Sequence, residues 1–498
     1  MQFTHLTPNA CYQAMKAHDT RFDGRFFVGV SSTHIYCRPI CRVRMPQQKN
    51  CTFHPSAAAA EAAGFRPCLK CRPELAPGFA ATEAGAKLAR AAARMIEDGV
   101  ANDVDLARVA ERVGVTDRHL RRIFAEEFGV SPVQYAQTHR LLLAKRLLTD
   151  TALPVADIAF ASGFSSVRRM NALFAERYRF SPTRLRKEGR QGETENAEAG
   201  ELDSLTFVLP YRPPYDWQRV LVFFEMRAVP GVETIADGIY RRVVRVEGTT
   251  PTAGWLEVSH LPKRNALQLR FTAALAQATQ SVLSHTKQVF DVAADPQEIS
   301  TALGELAKGA HGLRLPGAFD GFELALRAIL GQQVTVKAAR TLATRFVDAF
   351  GEAIATPFAD LTRTFPTPAR VAQLTRVDIG RLGIVGQRAE AMIAIAQAVT
   401  SGKLILSGGA EPSQTIDALR EIKGIGPWTA HYIAMRALAW PDAWPPQDVA
   451  LLNAMNLPNT AKGQREADVI AEAWRPWRSY AVLHTWRKLE NVPAKAKV

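Results

Sequence analysis

Apolar residues are spaced in three different ways along the chain. From about Thr82 to Lys187 they recur every three or four positions, with Gly or Ser-Pro breaks, which predicts a run of short helices. From about Ser204 to Leu303 apolar and polar residues alternate. There LTFVL, YRRVVRV, GWLEVSH and NALQLRF read as strands, with WQRVLVFFEMR as a helix between the first two. From about Phe319 the helical spacing returns, punctuated by GQQ, FPTP, GIVG, KGIGPW and WPP. The first 78 residues follow neither pattern; they are rich in Cys and loops, and end at Pro73 to Gly78. GRQGETENAEAGE (Gly189 to Glu201), polar, acidic and without aromatics, predicts a flexible linker.

The first helical stretch contains a repeat. DLARVAERVGVTDRHLRRIFAEEFGVSP (Asp105 to Pro132) matches VADIAFASGFSSVRRMNALFAERYRFSP (Val155 to Pro182) in an apolar helix, a Gly turn, a polar cap, an Arg-bearing helix and a closing Ser-Pro. Each unit has helix-turn-helix dimensions. Its second helix would offer Thr116, Asp117, Arg118, Arg121 and Arg122, or Ser165, Ser166, Arg168, Arg169 and Asn171, to a major groove. A bundle whose Arg face is merely solvated is the competing reading.

At 498 residues the chain is too long for one core, and 47% hydrophobic with 22% charged residues is a globular composition. No stretch reaches the ~20 apolar residues that span a bilayer, and MQFTHLTPNA lacks the regions of a signal peptide. A cytoplasmic, nucleoid-associated chain is expected. Residues 1–190 carry 29 Lys and Arg against 17 Asp and Glu, whereas the rest carries 33 against 31. Bulk charge therefore points the first part, more than the second, at a polyanion.

All six cysteines lie within the first 71 residues, and four form close pairs, Cys37-x3-Cys41 and Cys68-x2-Cys71. Such pairs chelate from turns, and four thiolates close a tetrahedral Zn2+ site. Spacing alone leaves open whether that site is structural or reactive. Cys11 and Cys51 have no partner at ligand spacing and read as small buried residues.

In the last stretch, LREIKGIGPWTAHYIAMRAL sets Gly424 and Gly426 between two helices, the second opening at Pro427. Glycines let a backbone approach closely, and amides at a helix start hold phosphate. PDAWPPQDVALL then places Asp448 twenty-four residues beyond Gly424, before an apolar run it could also simply cap.

Resemblances sharpen these readings. FFVGVSSTHIYCRPIC through AAAAEAAGFRPCLKCRPE resembles the zinc domain of the Ada methylphosphotriester repair family. That implies one Zn2+ on Cys37, Cys41, Cys68 and Cys71, and Cys37 as suicidal methyl acceptor; Arg38, Arg42, Arg44 and Arg72, which surround the pairs, are candidates to hold a DNA backbone, the alternative being a solvated basic rim. The repeat resembles AraC-class activators, implying promoter DNA and RNA polymerase as partners. Leu205 to Leu489 resembles the AlkA type of 3-methyladenine glycosylase of the helix-hairpin-helix superfamily, through RPPYDW, RAVPGVETIADGIYRR, HGLRLPGAFDGFE, RAILGQQV, FPTP and WRPWRSYAVLHTW.

By that resemblance Asp448 serves the reacting sugar, and Trp428, Tyr432, Trp486 and Phe223 form the base pocket. Gln333 is the wedge, with Gly424, Gly426 and Thr429 meeting double-stranded DNA. Trp428 stands where backbone-cleaving relatives carry a lysine, so lyase chemistry is not expected. Gln333 replaces the family's usual Leu, and Arg487 follows Trp486 where an aromatic is usual. No Pro-Cys-His-Arg string is present, so O6-methylguanine reversal is not expected either.

The implied architecture is multidomain, mainly α with α+β parts. It comprises a zinc domain (1–78), an all-α double helix-turn-helix (82–188), a linker (189–203), an α/β domain (204–310) and an all-α helix-hairpin-helix domain (311–492). The rival function is a transcription factor whose C-terminal half binds damage without excising it.

Overall fold

A computed structural model of the chain describes residues 6–77, 84–98, 106–190, 203–246, 251–407 and 409–490. The linker expected at Gly189 to Glu201 lies, from residue 191 on, outside the described residues. Among the described residues no helix is long and apolar enough to cross a membrane. The chain forms two compact units, one of residues 1–80, 84–213 and 245–287, the other of 81–83, 214–244 and 288–498.

The first unit begins with strands β1 (Phe27–Val30), β2 (Ile35–Cys37), β3 (Cys51–His54) and β4 (Arg66–Pro67), ordered β3-β1-β2-β4. β1 runs antiparallel to β2 and β3, and β2 parallel to β4. Gly29 at the sheet centre has to be glycine, because a Cβ there would sit 2.7 Å from both the Phe65 ring and Thr52 Oγ1. Cys11, 1% exposed, packs with Met15, Phe26 and Val28, as expected, whereas Cys51 is only half-buried.

Both repeats fold as helix-turn-helix units, Leu106–Arg112 with Asp117–Phe128 and Val155–Ala161 with Val167–Tyr178. Their turns pass through left-handed Gly114 (φ 74°) and Gly163 (φ 78°). Thr116 and Ser166 cap the second helices by accepting from the His119 and Arg169 amides. Each Ser-Pro opens the next helix. Ser131 forms a capping box with Gln134 ahead of Pro132–Asp150, and Ser181 accepts from the Arg184 amide ahead of Pro182–Arg190.

The zinc-domain sequence is tied to these helices. Ser56 Oγ donates to the Phe128 carbonyl at 2.8 Å, Lys145 pairs with Glu74 at 2.6 Å and Arg72 with Asp150 at 2.6 Å. Glu61, wholly buried, accepts from Tyr36 (3.0 Å), Tyr178 (3.1 Å) and Thr138 (2.8 Å). Burial outweighs these hydrogen bonds and pushes its carboxyl up to about 7.

Five strands follow: β5 (Ser204–Pro210), β6 (Glu233–Ala236), β7 (Ile239–Val246), β8 (Thr252–Leu261) and β9 (Ala266–Thr272). In the first unit β9 lies antiparallel between β5 and β8. In the second, β6 and β7 form a hairpin turning on Asp237 (φ 54°) and Gly238 (φ 73°). β6 is not among the strands expected from alternation, although Asp-Gly between apolar runs is a strong hairpin signal.

The hairpin is locked to helix Gly321–Leu330. Arg242 pairs with Glu323 at 2.6 Å, Arg327 with Glu233 at 2.7 Å and with Glu323 at 2.8 Å, and Tyr240 donates to Glu233 at 2.7 Å. Buried ion pairs gain little net stability, but a fully satisfied network permits one arrangement only. That helix leads directly into Gly331, Gln332 and Gln333. Helix Pro412–Arg420, a turn at Gly424 (φ 94°) and helix Pro427–Ala437 make the hairpin read from the sequence.

Candidate active site and metal centre

In the first unit β2 ends at Cys37 and β4 leads to Cys68, so the two strands deliver one cysteine pair each. The four Sγ atoms lie within 4.8 Å of one another, and only Cys71 is more than slightly exposed. Sulfurs about 2.3 Å from a tetrahedral Zn2+ stand roughly 3.8 Å apart, so this all-sulfur donor set fits the ion. The Arg38 amide donates to Cys71 Sγ at 3.3 Å.

The expected basic rim is only partly there. Arg42 and Arg44 are exposed. Arg38 is 5% exposed and clamped on Asp23, its Nε donating at 2.8 Å, and Arg72 serves Glu74 and Asp150. These two guanidiniums balance buried carboxylates, which is why they face inward.

On the two second helices Arg118, Arg121, Arg122, Arg168, Arg169 and Asn171 are all exposed. Arg121 leans on Asp117 at 2.8 Å and Arg122 on Glu126 at 2.7 Å. Exposed pairs of this kind contribute well under about 1 kcal/mol and yield readily to a stronger anion.

In the second unit a cleft of about 1430 Å³ gathers Phe223, Gln333, Gly424, Gly426, Trp428, Thr429, Tyr432, Asp448 and Trp486. Asp448 is 6% exposed and caps helix Val449–Ala454, its Oδ1 accepting from the Leu451 amide at 2.8 Å. Its Oδ2 accepts from the Trp428 indole at 2.7 Å, and the Trp486 indole stands 3.5 Å from Oδ1. Capping and a reactive role are therefore compatible: one oxygen is held by the helix and both indoles keep the carboxylate facing the cleft. Trp428 and Tyr432, one turn apart, stack at 5.0 Å and 9°.

Gln333 is exposed at φ 52°, a backbone conformation that costs a non-glycine residue of order 1 kcal/mol. Its neighbour Gln332 holds it there. Gln332 Nε2 donates to the Gly424 carbonyl at 3.0 Å and to Thr429 Oγ1 at 3.1 Å, and its own carbonyl accepts from Arg388. Thr429 is 3% exposed with its hydroxyl engaged, so its side chain serves the hairpin. Gly426 is different: at φ −83° with nothing within 4 Å of a Cβ, no feature of the fold demands glycine.

Sequence reasoning missed Gln332, Arg388, Arg227 and Arg436. Arg436 was findable, since it follows Tyr432 by four residues on one helix face. Arg227 likewise follows Phe223 by four residues, although its charge on Tyr432 comes only from the fold. Its guanidinium lies 3.9 Å from the Phe223 ring centre and that of Arg436 4.8 Å, so Phe223 already carries cationic neighbours. Arg487 turns to the Lys308 carbonyl at 3.2 Å.

These arrangements put the second unit among helix-hairpin-helix base-excision proteins and the first among metal-bearing helix-turn-helix regulators. The family models agree: Metal binding domain of Ada over residues 10–74, Helix-turn-helix domain over 109–188, AlkA N-terminal domain over 206–320, and HhH-GPD superfamily base excision DNA repair protein over 326–479.

The chain belongs to the family of bifunctional transcriptional activator/DNA repair enzymes of the AlkA type. It is 35% identical over 488 residues to the "Probable bifunctional transcriptional activator/DNA repair enzyme AlkA" of Mycobacterium tuberculosis, covering 97% of this chain and 96% of the relative. DNA-3-methyladenine glycosylase 2 of Escherichia coli is 36% identical over 284 residues, 56% of this chain and 96% of that one. The bifunctional transcriptional activator/DNA repair enzyme Ada of the same organism is 36% identical over 149 residues, 30% of this chain and 40% of its own length. The fusion of a glycosylase with an Ada-type zinc domain and a helix-turn-helix regulator is thus shared along the whole chain.

Proposed function

We propose that the second unit hydrolyses the N-glycosidic bond of N3- and N7-alkylated purines flipped from double-stranded DNA, with Asp448 as the catalytic residue. The observation that carries this is the Asp448 carboxylate, held by the Leu451 amide and the Trp428 indole at the wall of an aromatic cleft. A cationic alkylated base departs with the C1′–N bonding pair and needs little acid assistance. Asp448 offsets the positive charge that grows on the sugar, and water then adds at C1′, losing its proton to solvent. Trp428, Tyr432 and Trp486 offer electron-rich faces to the base. Gln333, exposed on its clamped turn, fills the gap and hydrogen-bonds the orphaned partner. Open space at Gly426 suits close approach of a DNA backbone.

Asp448→Asn is the first test, because asparagine still caps the helix while the charge is lost. Release of free 3-methyladenine from methylated duplex DNA should fall by about 10²–10³ or more, with DNA binding kept. Undiminished release would remove Asp448 from the mechanism and favour the damage-binding regulator.

In the first unit a single Zn2+, when bound to Cys37, Cys41, Cys68 and Cys71, keeps the sulfurs as thiolates at neutral pH. Cys37 Sγ attacks the methyl carbon of a methylphosphotriester. The S–C bond forms as the C–O bond breaks, and the electron pair leaves on the phosphate oxygen. Cys71, though the most exposed, accepts an amide hydrogen bond that lowers its nucleophilicity. Thiolate-to-thioether conversion removes one negative charge, so repulsion of phosphate falls and Arg118, Arg121, Arg122, Arg168, Arg169 and Asn171 engage promoter DNA, recruiting RNA polymerase. Mass spectrometry after exposure to phosphotriester DNA should find the added methyl on Cys37. A methyl on Cys71, or unaltered transfer by Cys37→Ser, would move the acceptor.

A further inference from the structure

The wall behind the stacked Trp428–Tyr432 pair has an unbalanced charge. Tyr432 is 9% exposed, and its hydroxyl accepts from Arg436 Nη1 at 3.0 Å. Arg436 also donates to the backbone carbonyls of Pro316 (2.8 Å) and Gly317 (2.9 Å), which are neutral. Arg227 donates to the Phe223 carbonyl at 3.1 Å, its guanidinium lying 3.9 Å from the Phe223 ring centre, and its charge acts on the Tyr432 phenol. One guanidinium thus donates to the phenolic oxygen while a second acts on it by charge, and among the described residues no acceptor receives its proton.

Arg219, Arg314, Arg340 and Arg388 also line the cleft. Arg327 and Arg242 are matched by Glu233 and Glu323. Asp448 joins this wall through the Trp428 indole. Arg227 and Arg436 are two positive charges without a carboxylate partner among the described residues. A wall so charged opposes a cationic base.

We propose that Tyr432 ionises within this pocket to a phenolate that Arg436 hydrogen-bonds and Arg227 balances by charge, and that this ionisation sets the preference for cationic over neutral damaged bases. The inference rests on the glycosylase reading above. Burial alone would raise the Tyr432 phenol, but Arg436 and Arg227 outweigh it and lower it from 10.0 to about 8. Below that pH the ring is a neutral phenol and the wall repels a cation. Above it the wall's charge is partly cancelled and the ring is more electron-rich.

The test pairs a spectrum with a selectivity. Ultraviolet difference titration should show one tyrosine ionising near pH 8 in the wild type and none there in Tyr432→Phe. Single-turnover release of 3-methyladenine, a cation, relative to ethenoadenine, a neutral lesion, should rise on the order of tenfold across that transition in the wild type. The ratio should stay flat in Tyr432→Phe. Arg227→Gln, at a half-buried position and so the safer variant to fold, should move both the spectral step and the ratio to higher pH. A wild type that releases 3-methyladenine with no spectral step and a flat ratio overturns the phenolate while leaving the glycosylase reading intact. The same holds if Arg227→Gln moves neither. A wild type that releases no base at any pH overturns the underlying reading and this inference with it.

Discussion

The thiolate cluster and the aromatic cleft both hold an anion in place, but they assemble it over different lengths of chain. Four sulfurs come from two turns, 37–41 and 68–71, and one short sheet brings them within 4.8 Å. Around Asp448 the side chains come from Phe223, Gln333, Trp428, Tyr432 and Trp486, across more than half of the second unit's sequence. Ligand spacing has chemical meaning before folding, whereas cleft residues acquire theirs only from the fold. The cluster is thus expected to depend on its ion and the cleft on packing. Chelation of the metal is the largest perturbation that separates them. Binding to such sites is worth roughly 10 kcal/mol or more, and much of it is folding free energy. Stripping zinc should therefore abolish hydrogen-exchange protection in β1–β3 while base release continues. Protection that survives chelation would show that the apolar clusters around Phe26 and Tyr36 hold the domain without metal.

A smaller effect comes from Glu61, which joins Tyr36 beside Cys37 to Thr138 and Tyr178. Its carboxyl is raised from 4.5 to about 7, so between those values the folded chain binds the proton that the unfolded chain has lost. Stability contributed by the protonated form is therefore full below about 4.5 and is lost as pH rises towards 7, on the order of 3 kcal/mol in all. Glu61→Gln keeps an acceptor for both tyrosines and cannot ionise. Denaturation of wild type and variant across that window should show the wild type losing stability relative to Glu61→Gln as pH rises. A pH-independent difference would mean that Glu61 ionises normally despite its burial. The second unit has its own raised carboxyl: burial pushes Asp291, which accepts from Tyr480 and the Leu315 amide, up to about 6, whereas Glu233 and Glu323 are matched by Arg327 and Arg242.

The same contrast explains what could be read from the chain beforehand. The cysteine quartet, both Gly-turn repeats, their Ser-Pro caps and the Gly424 turn are local patterns whose physics needs no partner. Four of the five strands after residue 203 were visible as alternation; β6 was not, being four residues long and only partly alternating. Arg38 was misread as rim because nothing near it in sequence announces Asp23, fifteen residues away. Gln332 was read only beside Gln333, since its targets, Gly424 and Thr429, lie more than ninety residues on. Arg436 meets Tyr432 on their shared helix, whereas Arg227 comes to act on it only once separate elements have packed.

The smallest expected effect tests whether the two anions are held in the same way. In each site an N–H donor supports an acceptor of the cluster or cleft: the Arg38 amide on Cys71, a neighbour of Cys37, and the Trp428 indole on Asp448. Trp428 stacks on Tyr432 and also donates to Asp448, so its two roles are separable. Trp428→Phe keeps an aromatic face beside Tyr432 and removes the N–H. A hydrogen bond to a charged group contributes about 1.5–3 kcal/mol, which sets the expected loss at roughly tenfold to a hundredfold in the single-turnover rate of base release. Affinity for a duplex carrying the damaged base should change much less, because stacking persists. A variant that loses affinity but keeps its rate would show that Trp428 acts as a base wall alone. Asp448 would then be held in place by its helix cap, and the parallel between the two sites would fail.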